Sequence, residues 1–131
     1  MTAENKTQNP VTLSEDVPVR AYADVVIAGG GPSGFIASVA AARCGVSVIL
    51  LEKQELFGGL ATMGLVNPIS EFNKNGKRVI SGIPWEFVMM MHSLGGANTD
   101  AASGNIHYDP EVYMLAVQRM LIEAGVKLNS S

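Results

Sequence analysis

The sequence contains few of the reactive side chains that would reveal a catalytic or metal site. There are one cysteine and two histidines among 131 residues. The single cysteine, Cys44, excludes an internal disulfide, and its alanine-rich surroundings indicate a small buried residue rather than a redox group. His92 has no metal-binding side chain at ligand spacing and His107 is interpreted as structural, so no metal site is predicted. There is also no Ser/His/Asp set, cysteine pair or pair of carboxylates at a defined spacing, and the catalytic residues stay unknown.

Charge and long apolar runs are scarce as well. Charged residues make up 16% of the chain and the net charge is −3, which gives no indication of a nucleic-acid partner. No segment approaches the roughly 18 uninterrupted apolar residues of a membrane-spanning helix, so no membrane partner is expected. The first twenty residues lack the apolar centre of a secretion signal. We therefore interpret residues 1–20 as a flexible polar arm and expect a cytoplasmic protein.

The most informative segment, residues 22–59, has the pattern of a nucleotide-binding βαβ unit. An apolar, β-branched run at Val25–Ile27 predicts a buried strand, and the glycine pattern Gly29-x-Gly31-x-x-Gly34 follows at once. A helix-like stretch and a second apolar run come next. This order is the context that a dinucleotide-binding glycine motif requires, whereas an isolated glycine triplet would be weak support. A flexible loop is the alternative interpretation, and it leaves the flanking pattern unexplained.

Each position of the motif has a physical function in such a unit. Gly29 permits the tight turn between strand and helix, Gly31 lets backbone N–H groups approach a pyrophosphate, and Gly34 allows the helix to pack closely on the strand. Pro32 suits the first helical turn, where an N–H would have no partner within the helix. The helix N-terminus then attracts the anion. The predicted pyrophosphate segment is Gly29, Gly30, Gly31, Pro32, Ser33 and Gly34.

An acid ends the second apolar run at the position expected for a ribose contact. Glu52 follows the last glycine of the motif by 18 residues, against an expectation of about 20. Its carboxylate can accept hydrogen bonds from both ribose hydroxyls of an adenosine. A carboxylate also disfavours a 2′-phosphate, which argues against a ligand of the NADP type.

Beyond this unit, turn and helix signals divide the chain into short elements. Residues 65–81 predict a β-hairpin around Asn75-Gly76, with Pro68 favouring an edge position for its first strand. A short helix is expected to begin at Ile83-Pro84-Trp85 and to end near Gly95-Gly96. The polar segment 97–106 predicts a loop.

A second, longer helix is signalled by Tyr108-Asp109-Pro110-Glu111, with Asp109 as its N-cap. Gly125 is expected to end this helix, and Val126 to begin a third strand. The apolar positions that define the predicted buried face are Met114, Val117, Leu121 and Ala124.

Together these elements predict an α/β fold, a Rossmann-like βαβ unit for FAD or NAD(P) with an inserted hairpin and helices. Two parallel strands and the start of a third are fewer than a doubly wound sheet needs. We therefore expect residues 21–131 to be a partial domain, truncated at its C-terminal end, and the chain to be a fragment of a longer protein. Exposed apolar faces would favour self-association.

The motifs, in their order along the chain, resemble those of FAD-dependent oxidoreductases of the glutathione-reductase-like type. The segments that carry the resemblance, over roughly residues 18–128, are DVVIAGGGPSG, LLEKQELFGGLAT, GLVNP, GKRVISGIP and YDPE. The resemblance implies FAD as cofactor, with Lys53 near the adenine. It also implies that a second glycine-rich segment lies along the pyrophosphate and towards the flavin, through Gly58, Gly59, Ala61 and Thr62.

The function that follows from this resemblance is oxidation and reduction of a small-molecule substrate. The flavin would exchange a hydride or two electrons with that substrate, whose identity the sequence does not reveal. Two alternatives stay open. One is a fragment of an NAD-linked dehydrogenase, which explains Glu52 equally well but not Gly58-Gly59-Leu60-Ala61-Thr62. The other is a truncated nucleotide-binding product without catalytic activity.

Overall fold

A computed structural model describes residue 12, residues 14–99 and residues 104–130. The elements follow in the order β1 (Val25–Ala28), α1 (Pro32–Arg43), β2 (Val48–Glu52), a 3₁₀ helix (Gly59–Ala61), β3 (Asn73–Lys74), β4 (Lys77–Arg78), α2 (Ile83–Ser93), α3 (Pro110–Glu123) and β5 (Lys127–Ser130). Of the arm predicted over 1–20, residues 1–11 and 13 lie outside the described part. The rest of it is exposed and without regular secondary structure. Residues 100–103 of the predicted loop also lie outside.

The main sheet has three parallel strands in the order β1-β2-β5. Val25 pairs with Val48 in the register of β1 on β2, and Ile49 pairs with Lys127 in that of β2 on β5. Helix α1 connects the first two strands, while α2 and α3 lie within the longer connection from β2 to β5. This arrangement confirms the predicted α/β fold and the third strand after α3. A parallel sheet places all its carboxyl ends at one edge, and the glycine motif lies at that edge.

The core forms where α1, α2 and α3 pack against one another and α1 packs on β1 and β2. Aromatic rings make up its centre, with the ring centroids of Phe35 and Phe87 4.8 Å apart and those of Phe87 and Tyr113 4.7 Å apart. Alternate strand residues point away from it, so Val26 is 55% exposed and Leu51 37% exposed. One face of the sheet therefore presents apolar side chains to solvent.

Local signals placed the helix ends correctly. The Asp109 side chain accepts a hydrogen bond from the N–H of Glu111 at 2.8 Å, as an N-cap does. Gly125 has a φ of +76° directly after α3, a conformation that favours glycine and ends the helix. Helix α2 begins at Ile83, as predicted.

The predicted buried face of α3 was only partly right. Val117 and Leu121 are fully buried, but Met114 and Ala124 are half-buried. The residues of α3 that are buried are Tyr113, Ala116, Val117, Met120 and Leu121. The helix is rotated relative to the predicted face because the large Tyr113 ring packs against the aromatic centre of the core.

The hairpin prediction was right about the turn and wrong about its length. Asn75 and Gly76 both have positive φ, as a tight two-residue turn requires, but β3 and β4 contain only two residues each. Residues 65–72 form a loop, in which Leu65 and Glu71 also have positive φ and so cannot continue an extended strand. Cys44 was predicted to be buried, and this was wrong. The residue is exposed, because it is the C-cap of α1 at the surface.

None of the helices in the described part of the chain is long and apolar enough to cross a membrane. In the same part of the chain, no group of three or more His, Cys, Asp or Glu side chains is placed to hold a metal ion.

Candidate dinucleotide-binding site

The glycine motif forms a tight turn at the carboxyl end of β1, where the strand leads into α1. Gly29 has a φ of +98°, which glycine adopts without steric penalty. Its N–H donates to the carbonyl oxygen of Leu51 at 2.7 Å and fastens the turn to β2. A Cβ at Gly34 would lie 1.8 Å from the carbonyl oxygen of Gly29. These contacts explain why glycine stands at both positions: the turn needs one, and the close approach of α1 needs the other.

The N-terminus of α1 is built to receive an anion. Gly31 is the N-cap and Pro32 begins the helix, so the chain provides no capping side chain, and the first turn contains no acidic residue. By contrast, Asp109 caps α3 with its carboxylate. Among the residues that the structure describes, the first-turn N–H groups of α1 therefore have no side-chain acceptor, and the helix dipole adds partial positive charge. Phosphate oxygens bind at such a terminus.

Glu52 lies at the end of β2 with its carboxylate turned towards the glycine turn. The N–H of Gly30 donates to Oε2 at 2.6 Å, and the N–H of Gln54 donates to Oε1 at 2.8 Å. The hydrogen bonds from Gln54 and then Gly30 hold the pKa of Glu52 below its ordinary value. The side chain is therefore ionised and fixed at neutral pH. Because an ionised carboxylate has about four lone-pair sites, it can still accept hydrogen bonds from a ligand.

The second glycine-rich segment packs directly on the first. The N–H of Gly58 donates to the carbonyl oxygen of Gly30 at 2.8 Å. A Cβ at Gly59 would lie 3.2 Å from the Cα of Gly31, so the two backbones nearly touch. Gly58 and Gly59 both have positive φ, at +109° and +54°. The pair therefore brings this segment against the N-terminal end of α1.

The remaining predicted residues of this segment are turned inwards. Ala61 and Thr62 are each 6% exposed, and the Thr62 hydroxyl donates to the carbonyl oxygen of Phe57 at 3.0 Å. Leu60 and Met63, by contrast, project outwards. Ala61 and Thr62 thus contribute to the shape of the segment, and their contact with a cofactor stays a prediction.

Two neighbouring depressions of about 440 Å³ each share the wall residues Ala28 and Gly29, and together they are called the groove here. The first follows the glycine turn and the start of α1, including Ser33. The second is lined by Glu52, Lys53 and Asn129. Asn129 was missed in the sequence, although its place at the end of the third parallel strand puts it at the same sheet edge as Glu52. The predicted third strand could have indicated Asn129, because residues at the carboxyl end of a parallel strand lie at the same sheet edge as Glu52.

This groove offers the two kinds of group that the adenosine diphosphate part of a dinucleotide requires. One part offers backbone N–H groups and positive dipole to phosphates, and the other offers a fixed carboxylate to ribose hydroxyls. A Cβ at Gly31 would meet no atom within 4 Å, which leaves room for a ligand against the backbone at that point.

A family model described as "FAD dependent oxidoreductase" matches residues 24–130. The chain belongs to this family. FAD is the cofactor of the family, as the resemblance implied. The matched residues include the glycine turn, Glu52, the second glycine-rich segment and all five strands.

Curated proteins match over part of the chain. The mitochondrial dihydrolipoyl dehydrogenase of Rattus norvegicus is 34% identical over an alignment of 61 residues, with coverage of 42% of this chain and 12% of that enzyme. The human enzyme of the same name is 41% identical over an alignment of 49 residues, with coverage of 33% of this chain and 10% of the enzyme. The match to these relatives thus spans about a tenth of their length.

Solved structures share the fold at low sequence identity. THI4 of Thermovibrio ammonificans is 23% identical, with a TM-score of 0.54 over 82% of this chain and 38% of that one. The Diels-Alderase PyrE3 is 16% identical, with a TM-score of 0.55 over 82% of this chain and 25% of that one. These similarities support the Rossmann-like architecture and carry no information about substrate.

Proposed function

We propose that this chain supplies the FAD-binding site of a flavin-dependent oxidoreductase that exchanges a hydride or two electrons with a small-molecule substrate. The observation that carries the proposal is the junction at Gly30. Its N–H bonds to Glu52 and its carbonyl accepts the N–H of Gly58. This one residue therefore joins the glycine turn, the acidic strand end and the second glycine-rich segment into a single groove.

In this proposal the chain's own groups bind and orient the cofactor. The uncapped N-terminus of α1 and the backbone around Gly31 bind the pyrophosphate, and Glu52 accepts hydrogen bonds from the adenosine ribose. Lys53 and Asn129 lie beside the adenosine, where they line the same depression. The bound flavin would supply the redox chemistry. The proposed cofactor contacts are Gly29, Gly30, Gly31, Pro32, Ser33, Gly34, Glu52, Lys53, Gly58, Gly59, Ala61 and Thr62.

The second glycine-rich segment favours FAD over NAD as the ligand. Both ligands share an adenosine diphosphate half, so the glycine turn and Glu52 serve either one. The segment at Gly58 and Gly59 packs on the N-terminal end of α1, against Gly30 and Gly31, and it adds a surface for the other half of the ligand. In this proposal, the flavin half of FAD would occupy this surface.

The direct test is a titration of the full chain with FAD, NAD and ADP. Saturable quenching of flavin fluorescence reports FAD binding, and displacement of FAD by ADP shows that the two ligands share a site. We expect FAD to bind, ADP to displace it and NAD to compete weakly. Absence of saturable FAD binding, or NAD binding tighter than FAD, would contradict the proposal.

A further inference from the structure

The loop from Ala61 to Val66, here called the 61–66 loop, is fastened by one tyrosine from a distant part of the chain. The hydroxyl of Tyr108 lies 3.0 Å from the carbonyl oxygen of Ala61 and 2.5 Å from that of Val66. A tyrosine hydroxyl has a single proton to donate, so the two carbonyls at the ends of the loop converge on one donor. Burial raises the pKa of Tyr108, so the hydroxyl keeps that proton at neutral pH.

The position of this hydroxyl is set by the core and not by the loop. The Tyr108 ring is 6% exposed and packs on the ring of Tyr113, with 4.9 Å between centroids. Next to it, the N–H of Asp109 donates to the carbonyl oxygen of Gly96 at 2.7 Å, immediately before α3 begins. Asn67 donates through Nδ2 to the carbonyl oxygen of Tyr108. Tyr108 is thus a fixed support against which the 61–66 loop is held.

The loop itself carries exposed apolar side chains in a conformation that a leucine rarely adopts. Leu65 has a φ of +51° and is 68% exposed, and Met63 is 54% exposed. Bulky residues held at positive φ cluster at ligand-binding segments, where surrounding contacts maintain them. Such contacts here include the Tyr108 hydroxyl and the hydrogen bond from the Val66 N–H to the carbonyl oxygen of Leu60 at 3.0 Å.

The loop lies on the continuation of the cofactor groove. Pro32 lines the depression at the start of α1 and also a pocket of about 190 Å³ whose wall includes Leu60, Val66 and Tyr108. Glu52 lines the opposite end of the groove. A dinucleotide with its ribose at Glu52 and its pyrophosphate at α1 would therefore extend its other half past Pro32 to this loop.

We infer that Tyr108 is a positioning residue that holds the 61–66 loop against the flavin half of FAD. This inference rests on the proposed function, because it takes FAD as the ligand of the groove. Tyr108 lies beneath the loop, so its effect on the cofactor is transmitted by the two carbonyls that it bonds. The adenosine half is held by other residues and does not depend on it.

The substitution Tyr108→Phe tests this inference because it removes one hydroxyl and keeps the ring. In the full chain, we expect FAD affinity to fall about tenfold, the effect of losing one hydrogen bond of ordinary strength, while ADP affinity stays within twofold of wild type. The control is Tyr22→Phe, which removes the same hydroxyl from an exposed tyrosine that lines neither the groove nor the pocket beside the 61–66 loop. This control should leave both affinities unchanged.

The outcomes separate this inference from the proposed function. If wild-type chain binds neither FAD nor ADP, the proposed function itself fails. If FAD affinity is unchanged by Tyr108→Phe, or falls by the same factor as ADP affinity, the site stands and the positioning role is refuted. An equal fall for both ligands would mean that Tyr108 only stabilises the fold.

A measurement on the wild-type chain decides the matter if Tyr108→Phe does not fold. Amide hydrogen exchange should slow within the 61–66 loop on addition of FAD, and should not slow there on addition of ADP. Exchange at Gly30, whose N–H bonds to Glu52, serves as the internal reference and should slow with both ligands. A loop that exchanges at the same rate with FAD as with ADP would overturn the inference.

Discussion

Two glycines of the same turn should respond in opposite ways to one added methyl group. A Cβ at Gly31 would meet no atom within 4 Å, and the backbone there, at φ −70° and ψ −177°, suits alanine. Gly31→Ala should therefore fold normally, and reduced freedom of the unfolded chain should stabilise it by about 0.4–1 kcal/mol. The methyl group would nevertheless occupy the space proposed for the pyrophosphate. Loss of one charge-assisted hydrogen bond, worth about 1.5–3 kcal/mol, lowers FAD affinity roughly 10- to 100-fold.

Gly34→Ala should instead damage the fold. Its Cβ would lie 1.8 Å from the carbonyl oxygen of Gly29, against the 3.4 Å at which ordinary contact begins, so the two backbones must separate by about 1.6 Å. Overpacking of this kind destabilises a protein by about 1–3 kcal/mol. The melting temperature should fall by roughly 5–15 °C.

The assay pairs thermal unfolding, followed by circular dichroism, with FAD titration of each variant. Gly31→Ala should bind FAD more weakly and melt at the wild-type temperature or slightly above it, whereas Gly34→Ala should bind more weakly and melt at a lower temperature. The reasoning is refuted if Gly31→Ala binds FAD like the wild type, since the pyrophosphate then lies elsewhere. It is equally refuted if Gly31→Ala unfolds as early as Gly34→Ala, since the space beside Gly31 is then not open.

The further predictions concern three single side chains. Glu52→Gln should weaken FAD and ADP binding alike, by about tenfold, because it removes charge from the ribose acceptor; a loss confined to FAD would contradict the proposed orientation. The pKa of Glu52 is lower in the folded chain than in the unfolded chain. Ionised Glu52 therefore stabilises the fold at pH values above its unfolded-state pKa, and this contribution is lost as the pH falls through its folded-state pKa. Acid titration followed by circular dichroism should therefore destabilise wild type more steeply than Glu52→Gln. Burial raises the pKa of Tyr113, so stability should fall as pH rises above about 10, and Tyr113→Phe should resist alkali better; equal alkaline midpoints would argue against this. Asp109→Ala should lower the free energy of unfolding by about 1 kcal/mol in urea titration, while Asp109→Asn should match wild type; equal loss in both would show that the charge, not the cap, matters.

The βαβ unit could be predicted from sequence because its signals are local. The strand at Val25–Ile27, the glycine turn and the first helix are contiguous in the chain, and each residue type acts through its own backbone or its nearest neighbours. The N-cap at Asp109 and the stop at Gly125 are local in the same sense. The spacing between the glycine turn and Glu52 was the one signal in the motif that linked residues far apart in the sequence.

The parts that could not be predicted depend on contacts between distant segments. Residues 65–72 look like a strand, but the carbonyl of Ile69 pairs with Ile106 and the chain around it is held by Tyr108. Nothing near residue 70 in the sequence signals a partner more than thirty residues away. The rotation of α3 has the same origin, because Tyr113 turns towards aromatic rings that other helices contribute.

The surroundings of Gly30 and Gly31 differ from what the consensus pattern of the glycine motif suggests. Gly30, which the pattern leaves open, is the more confined: a Cβ there would lie 2.5 Å from Cδ1 of Phe57 and 3.1 Å from Oε2 of Glu52. Gly31, which the pattern fixes, faces open space. Gly30 is thus required to assemble the groove, and Gly31 is required to leave room in it. The hydrogen bonds of Gly30 to Glu52 and Gly58 hold the walls of the groove together, and a site held in this way loses less ordering entropy when a cofactor binds.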